Sequence, residues 1–151
     1  MTKIVTYNKE YAQAFKALNM AWLEKHFRPE PYDIEVLSNP EKHIINKGGD
    51  IYFVLENNIP LGTVALMYNE HNELEFTKMA VHELAQGKGY GNLLMQCCIE
   101  NAKKMDAKEL ILYSNTKLKP AIQLYLKSGF VEIPVKNSDY ERCNIKMVLK
   151  L

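Results

Sequence analysis

The chain has 151 residues, 47% hydrophobic and 25% charged, which fits one globular domain over 1–151 whose core needs no covalent staples. With 19 Lys and Arg against 18 Asp and Glu, the net charge of +1 lacks the basic excess that nucleic-acid binding demands, so no nucleic-acid partner is expected. Three cysteines cannot pair completely, the N-terminus has no signal-like apolar region, and no apolar run nears the ~20 residues of a bilayer span, so a cytoplasmic protein without a membrane partner is expected.

Residues 2–7, TKIVTY, read as a strand with a β-branched centre, and Asn8 can cap a following helix. Tyr11, Phe15, Leu18 and Trp22 recur at helical spacing over 9–25. The prolines of RPEPY (28–32) interrupt that helix, and a short one is expected near 32–37. Asn39, Pro40, Gly48 and Gly49 punctuate a further helix over 39–49. IYFVLE (51–56) and PLGTVALMY (60–68) form a hairpin around Asn57-Asn58, a pair that tolerates positive φ. ELEFTKMAV (73–81) is the third strand of the meander.

Three glycines, Gly87, Gly89 and Gly91, then separate this strand from a helix that runs to about Met105. Cys97 and Cys98 fall in the apolar stripe of that helix and read as core. ELILYS (109–114) is a strand, 119–129 a helix with Pro120 near its start and Gly129 past its end, and 130–135 and 144–151 are strands. The order β-α-α-β-β-β-α-β-α-β-β predicts a mixed α/β fold with helices on both faces of one sheet.

A helix start offers unpaired N–H groups and the positive end of a dipole, and glycines let the backbone wrap an anion closely. Gln86 to Asn92 would supply such donors, with Lys88 adding charge at the rim. The spacing does not fit a nucleoside-triphosphate P-loop, because Gly87-Lys88 is followed by Gly89 rather than Ser or Thr. G-x-G-x-G past the chain's midpoint also departs from the dinucleotide fingerprint G-x-G-x-x-G. A plain glycine-rich turn is the remaining bland alternative.

QGKGYG (86–91) resembles the Q/R-x-x-G-x-G/A signature of the GNAT superfamily of N-acetyltransferases, and PAIQLYLKSGFVEI (120–133) resembles that family's A-I-x-L-Y-x-x-x-G-F segment. The likeness covers 51–133 well, whereas the first 50 residues agree only in pattern. It implies a central, mostly antiparallel splayed sheet and acetyl-coenzyme A as cosubstrate. It also implies that the backbone of Met79, Ala80 and Val81 pairs with the pantetheine arm, the Val81 N–H facing the thioester oxygen. Gln86, Gly87, Lys88, Gly89, Tyr90, Gly91 and Asn92 would hold the pyrophosphate. Tyr125 matches a tyrosine placed near the coenzyme sulfur, and Glu75 resembles the catalytic glutamate of the protein-lysine branch. Leu118 stands where many members have Asn, so Asn115 is the alternative polar contact to the coenzyme.

The implied reaction is direct attack of a primary amine, from a small molecule or a protein, on the thioester. The other function class is a non-catalytic acyl-coenzyme A sensor. A homodimer stays open. Strand parity places Glu75 on the side of Thr77, Met79 and Val81 unless a bulge intervenes. Trp22, His26, Phe27 and Tyr32, together with Asp139, Tyr140 and Glu141, are candidate acceptor walls. The four histidines lack metal-ligand spacing, no metal is expected, and Cys143 is assigned no chemistry.

Overall fold

In the computed structural model, residues 1–135 and 142–151 are described, so the expected wall at Asp139, Tyr140 and Glu141 lies outside the described residues. Among the described residues seven strands form one sheet: β1 (Thr2–Thr6), β2 (Asp50–Glu56), β3 (Ile59–Tyr68), β4 (Leu74–Val81), β5 (Glu109–Ser114), β6 (Val131–Ile133) and β7 (Ile145–Lys150). Their spatial order is β1-β2-β3-β4-β5-β7-β6. Neighbours are antiparallel except β4 and β5, which run parallel and share one register pair, Glu75 with Ile111. Beyond that pair the two strands part, and the sheet is split at its centre.

Among the described residues five α-helices accompany the sheet: α1 (Ala12–His26), α2 (Pro31–Ser38), α3 (Pro40–His43), α4 (Tyr90–Lys104) and α5 (Lys119–Lys127). Period-two alternation divides their packing between the faces. Ile51, Phe53 and Leu55 of β2 join Phe15 and Leu23 of α1 and Val36 and Leu37 of α2. Tyr52 and Val54 turn the other way, toward Leu94 and Cys98 of α4 and Tyr125 of α5. A strand covered on both faces therefore reads as an unbroken apolar run. Full burial of a phenylalanine such as Phe15 or Phe53 contributes about 1.5–3 kcal/mol.

Local chemistry fixes most boundaries. Asn57 and Asn58 adopt φ 51° and 67°, both positive as a two-residue hairpin turn requires. Pro31 opens α2, and the Asp33 carboxylate accepts the Glu30 N–H at 2.9 Å in a capping box. Gly129, at φ 104°, lets the chain leave α5.

The expected helix over 39–49 is broken. Asn39 makes no side-chain cap, because its amide donates back to Glu35 of α2 at 3.3 and 3.1 Å. After the four residues of α3 the chain tightens into a 3-10 turn over Ile45–Lys47, which buries Ile44 and ends at Gly48 with φ 94°. Gly49 is needed for space rather than for termination, since a Cβ there would lie 2.2 Å from the Leu66 carbonyl oxygen. The strand expected over 130–135 shortens to the three residues of β6.

Candidate active site

The split sheet is the starting point of the site. On β4 three steps, from Thr77 to Ala80, match two steps on β3, from Ala65 to Thr63. The extra residue makes a bulge, and Lys78 occupies it at φ 57°. The bulge overturns the expected strand parity. Leu74 and Phe76 face α4 and α5, and so do Met79 and Val81. Glu75, between Leu74 and Phe76, therefore faces the α1 and α2 side, opposite Met79 and Val81. Past the bulge the His82 N–H donates to the Leu61 carbonyl of β3 at 2.7 Å. By strand alternation the Val81 and Met79 N–H groups point away from β3, into the split.

The glycine loop faces the same split from the α4 side. Gly87 and Gly89 both have positive φ, 87° and 83°, and a Cβ on either would meet nothing within 4 Å. Gly89 is the N-cap of α4, so the loop ends on free helix N–H groups. A cleft of about 430 Å³ is lined by Met79, Ala80, Val81, Gln86, Gly87, Gly89, Tyr90, Gly91 and Asn92. Trp22 and His26 close it from α1, and Leu118, Pro120, Ala121 and Leu124 from α5 and its approach. The structure thus gathers nine of the eleven residues expected to bind coenzyme.

The other two lie differently. The Lys88 ammonium is paired with Glu56 at 2.8 Å, and the Tyr90 hydroxyl donates to the same carboxylate. Asn115 lines a second cavity, and its amide holds the chain: its oxygen accepts the Lys117 N–H at 2.9 Å and its nitrogen donates to the Arg142 carbonyl at 2.6 Å.

This second cavity, about 80 Å³, occupies the split itself and meets the cleft at Trp22, Met79 and Leu118. Tyr125 reaches it from α5, buried and packed edge-on against Phe76 and Phe130 with ring centroids 5.9 and 6.1 Å away. Burial pushes its phenol up to about 12, although a hydrogen bond with the Ser114 side chain works against the rise. Trp22 and Phe27 also line it. The His26 ring packs tilted against Trp22 with centroids 5.0 Å apart, and burial, then the charges of Lys25 and Lys117, hold its imidazole below the usual value. Tyr32 lines neither space.

Behind the second cavity lies a group that the sequence reading missed. Asp33 is fully buried and takes both guanidinium nitrogens of Arg142 at 2.7 and 2.9 Å and Lys78 Nζ at 3.2 Å. Burial pushes its carboxyl up, but Lys78, the hydrogen bonds from Arg142 and the Glu30 N–H, and the Arg142 charge together hold it below the ordinary value. Glu75 is also buried yet lines neither cavity. Among the described residues no group of three His, Cys, Asp or Glu could hold a metal, and no helix is long and apolar enough to cross a membrane.

Comparison with known proteins matches residues 47–132 to the family described as acetyltransferase (GNAT) domain. The chain is 30% identical over 104 residues to the uncharacterized N-acetyltransferase YvbK of Bacillus subtilis, covering 67% of each chain. An uncharacterized N-acetyltransferase of Methanocaldococcus jannaschii is 33% identical over 98 residues, and the match spans 43% of that protein's length. A GNAT-family acetyltransferase structure from Staphylococcus aureus superposes with a TM-score of 0.89 at 20% identity over 99% of both chains. The PaiA N-acetyltransferase of Thermoplasma acidophilum, solved in complex with coenzyme A, superposes at 0.77 with 16% identity, over 100% of this chain and 99% of that one. At these identities the structural likeness is one of fold.

Proposed function

The chain belongs to the GNAT family of acetyltransferases, and we propose that it moves the acetyl group of acetyl-coenzyme A to a primary amine of a small molecule or protein by direct attack on the thioester. The observation that carries this reading is the continuous cleft from the glycine loop to Met79–Val81, opening at its inner end on the cavity that holds Tyr125. The backbone donors of Gln86 to Asn92 and the dipole of α4 suit a pyrophosphate. Lys88 contributes its N–H, since its ammonium is held by Glu56.

In this reading the pantetheine arm runs along Met79–Val81, whose outward N–H groups meet the thioester carbonyl. A backbone N–H placed there stabilises the oxyanion of the tetrahedral intermediate. Tyr125 stays neutral through the working pH range and gives its proton to the departing thiolate. An amine with a pKa of about 10.4 arrives mostly protonated, so a proton must leave before attack. Glu75 receives it through water, because the carboxylate faces away from the thioester strand edge.

Thiol release from acetyl-coenzyme A, measured with a panel of primary amines, tests the reaction, and the rise in melting temperature with coenzyme A tests the cleft. Absence of any thermal shift, or of thiol release with every amine, would refute the reading.

A further inference from the structure

The bulge residue of β4 is a lysine held in the left-handed region, at φ 57°. That conformation disfavours a residue with a Cβ, so something must hold it. Its side chain leads to Asp33, where four donors converge. They are Arg142 Nη1 at 2.7 Å, Arg142 Nη2 at 2.9 Å, the Glu30 backbone N–H at 2.9 Å and Lys78 Nζ at 3.2 Å. A carboxylate offers about four lone-pair sites, so this one is saturated. Three segments distant in sequence, the start of α2, the bulge of β4 and the approach to β7, are pinned to one buried group.

Stability alone does not account for such a cluster. Buried ion pairs are commonly replaced by well-packed apolar groups with no loss, because desolvation offsets the attraction. What the cluster fixes is direction. With one residue fewer between Thr77 and Ala80, Met79 and Val81 would exchange faces relative to Phe76, and their amides would change edges.

We propose that Asp33 is a positioning residue for acetyl transfer: its carboxylate anchors Lys78, holds the left-handed bulge, and so keeps the Met79 and Val81 N–H groups turned into the split where the thioester lies. This rests on the reading given under the proposed function. Asp33 touches neither coenzyme nor acceptor. Lys78 acts through its backbone, and its ammonium is the handle by which the bulge is held. Lys78 and Arg142 both line the acceptor cavity, so the same carboxylate sets that cavity's rear wall.

Two substitutions at one position separate backbone geometry from charge. Lys78→Gly and Lys78→Ala remove the same ammonium, but glycine adopts φ 57° without strain whereas alanine does not. The readouts are kcat, KM for the amine, and the ratio of dissociation constants for acetyl-coenzyme A and coenzyme A, which reports the contact to the thioester carbonyl. Lys78→Ala and Asp33→Asn are expected to lower kcat by about 10²-fold, the scale of a lost oxyanion donor. Both should bring the affinity ratio to unity while leaving coenzyme A affinity within about twofold. Lys78→Gly should keep the affinity preference and lose clearly less kcat than Lys78→Ala.

Equal impairment of the glycine and alanine variants would overturn the inference, as would an unchanged ratio in Asp33→Asn. If Asp33→Asn fails to fold, the Lys78 pair still decides, because both variants leave Asp33 bonded to Arg142. An unmutated chain that binds no coenzyme A would overturn the proposed function and this inference with it. An unmutated chain that turns over normally beside indifferent variants would overturn the inference alone.

Discussion

Gly89 offers the sharpest separation of fold from ligand. It caps α4 at φ 83°, and an added Cβ meets nothing within 4 Å. In the free chain, alanine there carries a purely conformational penalty. The left-handed region disfavours it by roughly 1–2 kcal/mol, and the stiffer unfolded chain returns about 0.4–1, leaving a net loss near 1 kcal/mol. For a chain of this size that lowers Tm by about 2–4 °C. In the loaded cleft the methyl would stand where the proposed pyrophosphate lies, and a tenfold loss of coenzyme A affinity, about 1.4 kcal/mol, is expected. Gly89→Asn resolves the two effects. Asparagine tolerates positive φ and caps a helix about as well as glycine, so Tm should return close to the unmutated value. Its larger side chain should weaken binding further. Thermal unfolding without ligand and calorimetric titration with coenzyme A provide the measurements. A Gly89→Asn protein that binds coenzyme A as tightly as the unmutated chain would refute the placement of the pyrophosphate on this loop.

Tyr125→Phe should lower kcat on the order of 10²-fold with coenzyme A affinity nearly unchanged; loss of both together in a titration would remove its acid role. Glu75→Gln should lower kcat by about 10²-fold in the thiol-release assay, whereas an unchanged kcat would assign the proton to water alone. Burial pushes the Tyr125 phenol up to about 12, so it contributes stability that is complete below the ordinary tyrosine value of 10 and lost as pH rises from there through about 12; burial raises Tyr52 too, which acts in the same direction. Denaturant midpoints should hold steady up to pH ~10 and fall above it; a midpoint that stays flat to pH ~12 would contradict that burial. Lys117 bonds the His26 carbonyl at 2.9 Å and lies 4.0 Å from the Phe27 ring centroid, strapping the loop before α5 to the end of α1. Lys117→Ala should speed coenzyme A release about two- to fivefold in stopped-flow displacement, the equivalent of one cation–π contact, and an unchanged rate would mean that the strap does not hold the cleft wall.

The sequence revealed what local chemistry encodes. Two asparagines announced the hairpin, Pro120 and Gly129 bracketed α5, and the glycines marked the loop at the head of α4, all through backbone preferences that belong to single residues. The helix over 39–49 misled because its punctuation was real but answered to other partners. Asn39 is held by Glu35 from the preceding helix, and Gly49 is required by the Leu66 backbone of a strand still to come. The bulge was illegible for a deeper reason. Positive φ is usually flagged by Gly or Asn, and here a lysine adopts it because a carboxylate 45 residues earlier holds its side chain. Asp33 and Arg142 stand 109 residues apart. No pattern of period two or 3.6 records a contact made at that distance.

The same bulge explains how one strand can serve two reactants. Met79 and Val81 belong to the face packed by α4 and α5, from which the glycine loop delivers its ligand, while Glu75 belongs to the face packed by α1 and α2. A regular sheet would separate these groups by a wall of backbone hydrogen bonds. Here β4 and β5 share a single register pair at Glu75, and the split beyond it is a slot through the sheet. The smaller cavity fills that slot and is lined from both sides, by Asn19 and Leu23 of α1 and by Phe76 and Tyr125 of the opposite core. In the proposed reaction the thioester enters from one face, the amine from the other, and the amine's proton retreats toward the face it came from. The departing sulfur meets its own donor, Tyr125, on the coenzyme's side. Acid and base are kept apart by the strand that also carries the oxyanion donors, so neither needs to exchange protons with the other during turnover.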